Sequence, residues 1–130
     1  MKMKLIILLI SFTLLYLACS VTDVKNCICT TEIRTYTINI IDSSGTPVDS
    51  LVTTIRNSHG KVFTANQFHN EPGTYWLMED GYIQEFTTSP TTIIFTGTKD
   101  SISVEAGFLF NTDNCKCHVN KVAGPDTLVI

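Results

Sequence analysis

From Ile33 onward, apolar and polar residues alternate with the period of two that marks half-buried strands. Tyr36, Ile38 and Ile40 fall on one face, and Thr35, Thr37 and Asn39 on the other. Asp42-Ser43-Ser44-Gly45-Thr46-Pro47 interrupts them with turn residues, Gly free to take positive φ and Pro presetting it. A second strand is predicted over Leu51 to Arg56, closed by the hairpin turn Asn57-Ser58-His59-Gly60. A third runs from Lys61 to Phe68 and ends at the break Asn70-Glu71-Pro72-Gly73. Thr74 to Met78 reads as a short aromatic strand turned by Glu79-Asp80-Gly81, and Ile93 to Phe95 as another after Ser89-Pro90. The cleanest alternation lies in Ser101 to Phe110, where Ile102, Val104, Ala106, Phe108 and Phe110 oppose Ser103, Glu105 and Gly107. His118 to Val122 and Thr127 to Ile130, parted by Gly124-Pro125, are the last candidates. No segment carries a convincing helical period. The pattern predicts an all-β fold, an antiparallel Greek-key β-sandwich of about seven strands.

The N-terminus follows a different rule. Lys2 and Lys4 precede an almost wholly apolar run from Leu5 to Leu17, and Ala18 precedes Cys19. A basic start, an apolar stretch of about a dozen residues and a small residue at the cut form a secretory signal. A membrane-spanning helix needs roughly twenty apolar residues, and here the run stops short at a polar segment. Leu17-Ala18-Cys19 resembles the lipobox of bacterial lipoproteins, with Tyr16 where a branched aliphatic is usual. The resemblance implies cleavage after residue 18 and diacylation or triacylation of Cys19, palmitate being a typical chain. Several buried acyl chains anchor stably. The expected organisation is a signal peptide over 1–18, a lipidated cysteine and tether over 19–32, and a sandwich domain over 33–130. Ser20 after Cys19 points to the outer membrane by analogy with enterobacterial sorting.

Cleavage changes the charge. The whole chain of 130 residues has a formal net charge of −3. Loss of Lys2 and Lys4 leaves 112 residues with seven basic against twelve acidic side chains, a net of −5. An acidic domain without a Lys/Arg cluster is a poor partner for nucleic acid or anionic headgroups. The membrane contact therefore rests on the lipid anchor, and any further partner is an envelope protein or a glycan.

The cysteines carry the candidate chemistry. Cys27-Ile28-Cys29 and Cys115-Lys116-Cys117 bracket nearly everything that can fold. In an oxidising compartment such pairs form bridges. Neighbours within one Cys-x-Cys would sit about 6.6 Å apart in a strand, too far for an easy bridge, so bonds between the pairs are favoured. Antiparallel segments would join Cys27 to Cys117 and Cys29 to Cys115, and parallel segments would exchange the partners. The alternative is a thiolate site for zinc or copper(I) built from Cys27, Cys29, Cys115 and Cys117, with His118 as a further ligand. Against it stand the Cys-x-Cys spacing, the oxidising compartment, and the orientation of His118, which in extended backbone faces away from both neighbours.

A family resemblance is carried by Tyr36-Thr-Ile-Asn-Ile-Ile-Asp-Ser-Ser-Gly45-Thr-Pro47-Val48, by Gly73-Thr-Tyr75 and by Asp80-Gly81-Tyr82. In that order and spacing they resemble the carboxypeptidase regulatory-like domain, over roughly Thr35 to Ile130. Cys117-His118-Val119 is similar to a step near the end of some envelope members. The resemblance implies a prealbumin-like, or transthyretin-like, sandwich serving as an accessory binding or structural module, with no catalytic residues and no cofactor. The bare residues read the same way: Gly45 and Pro47 serve a turn, Tyr75 and Tyr82 fill the core, and Gly81 takes a conformation closed to side chains with a Cβ. His59 and His69 sit in polar turns. The same fold includes the hydrolase of 5-hydroxyisourate, whose Tyr-Arg-Gly-Ser tail is replaced here by Asp126-Thr127-Leu128-Val129-Ile130. Gly-x-Ser-x-Gly, His-Glu-x-x-His and phosphate-loop motifs are absent too. The expectation is a non-enzymatic, lipid-anchored envelope module, with a thiol-based copper or zinc protein as the alternative.

Overall fold

The computed structural model describes residues 26–65 and 71–130. The expected leader over 1–18, Cys19, Phe68 and His69 lie outside the described residues. Eight strands are described: β1 Thr35–Ile41, β2 Val52–Asn57, β3 Val62–Phe63, β4 Thr74–Glu79, β5 Thr91–Lys99, β6 Ile102–Thr112, β7 Val119–Ala123 and β8 Thr127–Val129. A 3-10 helix spans Asp80–Glu85. The strands form a three-stranded sheet, β4-β1-β8, and a five-stranded sheet, β3-β2-β5-β6-β7. The fold is an all-β sandwich, as the alternation predicts. One pairing departs from the antiparallel expectation: β8 runs parallel to β1, from Asn39↔Thr127 to Ile41↔Val129.

Where one face is solvated, the alternation is kept. Ile38 and Ile40 of β1 are fully buried, as are Ile93 and Phe95 of β5. Along β6 burial deepens toward the C-terminal end, with Ile102 exposed, Val104 and Ala106 partly covered, and Phe108 and Phe110 buried. The two sheets meet over these side chains. Phe86 joins them from beyond the 3-10 helix, between Phe63 (centroids 6.4 Å apart) and Phe110 (6.2 Å).

β4 breaks the alternation, since Trp76, Leu77, Met78 and Glu79 are all buried. The 3-10 helix supplies the reason: Tyr82 folds back to within 6.0 Å of Trp76, ring to ring, covering a face that an edge strand would leave wet. Two tyrosines then act as polar pins. The Tyr75 hydroxyl donates to the Val48 carbonyl (2.6 Å) and accepts from the Leu51 amide (3.1 Å), and that of Tyr82 donates to the Thr64 carbonyl (2.7 Å). Gly45 takes positive φ in its turn, as expected. Gly81 does not, because the chain there continues into the 3-10 helix. A strict position is Gly73: at φ +68°, a Cβ would stand 2.8 Å from the Ile40 carbonyl and from Pro47.

Candidate functional site

The unusual chemistry gathers at one end of the sandwich. β6 closes at Thr112 and β7 opens at Val119, and the loop between them turns on Asp113. One oxygen of its carboxylate accepts the amides of Cys115 (2.8 Å) and Cys117 (3.2 Å), and its carbonyl accepts that of Lys116 (3.1 Å). Lys116 takes φ +51°, so the two cysteines are presented on a tight, internally bonded turn.

Against this turn lies the segment that precedes β1. Cys27 is bridged to Cys115 with Cα atoms 5.6 Å apart, and Cys29 to Cys117 at 5.2 Å. Of the two connectivities left open by the spacing, this is the parallel one. It also argues against the thiolate site: disulfide sulfurs offer no thiolate to zinc or copper, and His118 bonds to Thr30 and Asp80. Among the described residues no group of three or more His, Cys, Asp or Glu side chains is placed to hold a metal ion.

Both bridges join residues 88 apart, and the same offset continues into the next pair. The Thr30 hydroxyl lies 2.8 Å from His118 Nε2, again 88 residues away. Once the disulfides set the register, the residue after Cys29 meets the residue after Cys117. His118 is 6% exposed and points inward, away from the bridges, to Asp80 at the start of the 3-10 helix. His118 Nδ1 and Asp80 Oδ2 are 2.7 Å apart. That oxygen also accepts the Arg34 amide (2.8 Å), and Oδ1 accepts the Val119 amide (2.7 Å). Thr112 donates to the His118 carbonyl (3.0 Å), and Arg34 donates to Asn120 Oδ1 (2.6 Å).

The electrostatics follow from these partners. Burial pushes the Asp80 carboxyl up, but the Arg34 amide, the His118 ring and the Val119 amide together hold it below its ordinary value. An ionised carboxylate only accepts, so Nδ1 carries the proton that faces it. In the neutral ring Nε2 is then the acceptor, and the Thr30 hydroxyl donates to it.

Hydroxyl, imidazole and carboxylate in this order can polarise a nucleophile or hold a segment in place. Acyl transfer also requires amides aimed at a developing oxyanion. The amides of Cys115, Lys116 and Cys117 are all committed to Asp113. The arrangement suits fastening. Thr30 and the bridges fix the incoming chain to the β6–β7 loop, and Asp80 fixes that loop to the residues just ahead of β1. Spacing alone brought out Cys27, Cys29, Cys115, Cys117 and His118, but not Thr30, Asp80 or Arg34.

A separate open cleft of about 680 Å³ lies beside β8 and the start of β6, with Val48, Ile102, Val104, Val129 and Ile130 supplying its apolar surface. No helix among the described residues is long and apolar enough to cross a membrane. Comparison with family models, with curated proteins and with solved structures finds no significant match to this chain.

Proposed function

We propose that this is a lipid-anchored protein of the cell envelope, a β-sandwich binding or structural module held at a membrane by acylated Cys19. The observation that carries the reading is the pair of bridges Cys27–Cys115 and Cys29–Cys117. Paired disulfides are the chemistry of an oxidising compartment, and they begin eight residues after Cys19. A chain that is pulled from its N-terminus by a lipid is thus crosslinked to the fold at once. The turn motifs shared with carboxypeptidase regulatory-like domains support an accessory role, since Gly45, Gly73, Tyr75 and Tyr82 all serve the sandwich itself. The cleft beside β8 offers apolar surface to a protein or glycan partner.

The test is Cys19→Ala. The parent is expected in the membrane fraction with an acyl mass on Cys19, and the variant in the soluble envelope fraction. A variant that stays with membranes in detergent-free buffer overturns the lipoprotein reading.

A further inference from the structure

We infer that the disulfide-stapled end of the domain docks on the bilayer through Ile28, so that the module lies against the lipid surface with a fixed end down. The inference rests on the lipid-anchor reading and adds an orientation and a contact to it.

Ile28 is the most exposed of the large apolar side chains described, at 94%, and Ile33 is next at 75%. Both stand on the segment that leads from the anchor into β1. Isolated exposed hydrophobes are ordinary on protein surfaces, but Ile28 is held out by covalent bonds. Its neighbours Cys27 and Cys29 are each tied to the β6–β7 loop, so the residue between them cannot turn inward. Only eight residue steps separate Cys19 from Cys27. Even fully extended they span at most about 28 Å, so the stapled end cannot leave the neighbourhood of an acylated Cys19. The occupant of this surface is therefore the bilayer to which the tether leads.

The charges nearby define the kind of lipid contact. Lys116 is exposed on the bridged loop, but so are Asp113 and Glu32. With no excess of positive charge, attraction to anionic headgroups is not the driving force. Burial of isoleucine at the boundary of headgroups and acyl chains is. Docking is accordingly expected on zwitterionic phosphatidylcholine and is insensitive to salt.

The experiment uses full-length, lipidated protein in phosphatidylcholine vesicles with and without brominated acyl chains, which quench tryptophan only on contact. Ile28→Trp places a reporter at the stapled end, and Ser101→Trp a control at the β5–β6 turn. The eleven residues of β6 separate the two ends, roughly 35 Å of strand. The native Trp76 is buried and supplies a constant background. The emission added by Ile28→Trp is expected to be blue-shifted and lost to the brominated lipid, at low and high salt alike, while that of Ser101→Trp survives. Acylated Cys19 with residue 28 unquenched, or equal quenching at the two ends, overturns docking alone. A protein whose Cys19 carries no acyl chain overturns docking and the anchor together.

Discussion

Removing the bridges one pair at a time should reveal that they share a single loop. Either bridge alone joins residues 88 apart, and on the chain-entropy relation closing such a loop restricts the unfolded chain by about 4.6 kcal/mol at 25 °C. Once one bridge is closed, the other closes only the small ring made by the two Cys-x-Cys triplets, for which the same relation gives about 2 kcal/mol. Cys27→Ala with Cys115→Ala should therefore cost about 2 kcal/mol, as should Cys29→Ala with Cys117→Ala, because the remaining bridge still closes the long loop. Removing all four cysteines should cost about 6–7 kcal/mol, more than the two double variants added together. That is comparable with the whole stability of a small domain, so the quadruple variant should be marginal or unfolded at ambient temperature. Urea unfolding of the parent, both double variants and the quadruple variant measures each step, and reductant applied to the parent should reproduce the last. Chelators should change none of them. A double variant that alone loses 4–5 kcal/mol, or costs that simply add, would refute the shared loop and with it the pairing.

Two further outcomes follow from the core and from Asp80. Phe108→Ala, at a side chain 1% exposed between the sheets, should cost about 3–5 kcal/mol, whereas exposed Ser103→Ala should stay within about 0.5 kcal/mol; equal costs by urea unfolding would contradict the facing of β6. Asp80 is depressed below its ordinary value of 3.8, so its stabilisation is complete above that pH and is lost as the pH falls through the lowered value. Asp80→Ala, which strands two backbone amides and a ring nitrogen, should cost roughly 3 kcal/mol at neutral pH and flatten the acid limb of the stability curve; an unchanged acid limb would show that the clasp contributes no such linkage.

What the sequence made legible is what a solvated sheet face imposes. β1 and β6 each leave one face toward water, so their residues alternate and their inward sets can be read directly. β4 could be placed but not faced, because Tyr82 covers Trp76 and removes the polar half of the pattern. The 3-10 helix was hidden behind Asp80-Gly81, which reads as a simple turn; its role depends on amides of Arg34 and Val119 that are 46 and 39 residues distant. Period-2 alternation also carries no sign of strand direction, so the parallel course of β8 beside β1 lay outside its reach. The same is true of the disulfide connectivity, which depends on whether two segments run together or oppositely.

That one undetermined direction governs the whole candidate site. With the segments parallel, the offset of 88 that joins the cysteines also brings Thr30 to His118; with them antiparallel, Thr30 would have met the other side of the loop. A usable signal was therefore present in the shared step Cys-Thr and Cys-His, but it becomes readable only after the pairing is known. The consequence is mechanical as well as chemical. The segment before β1 enters the three-stranded sheet through its own backbone, and it enters the five-stranded sheet through the bridges to the β6–β7 loop. A pull on the N-terminus is divided between the two layers, and Asp80 ties the layers to each other by accepting from Arg34 ahead of β1 and from Val119 in β7. A load applied to one sheet alone would act to shear the sandwich across its apolar core, where contacts are non-directional. Delivering it to both sheets through covalent bonds and a partly buried carboxylate would spare that core, which is what the proposed N-terminal anchor requires.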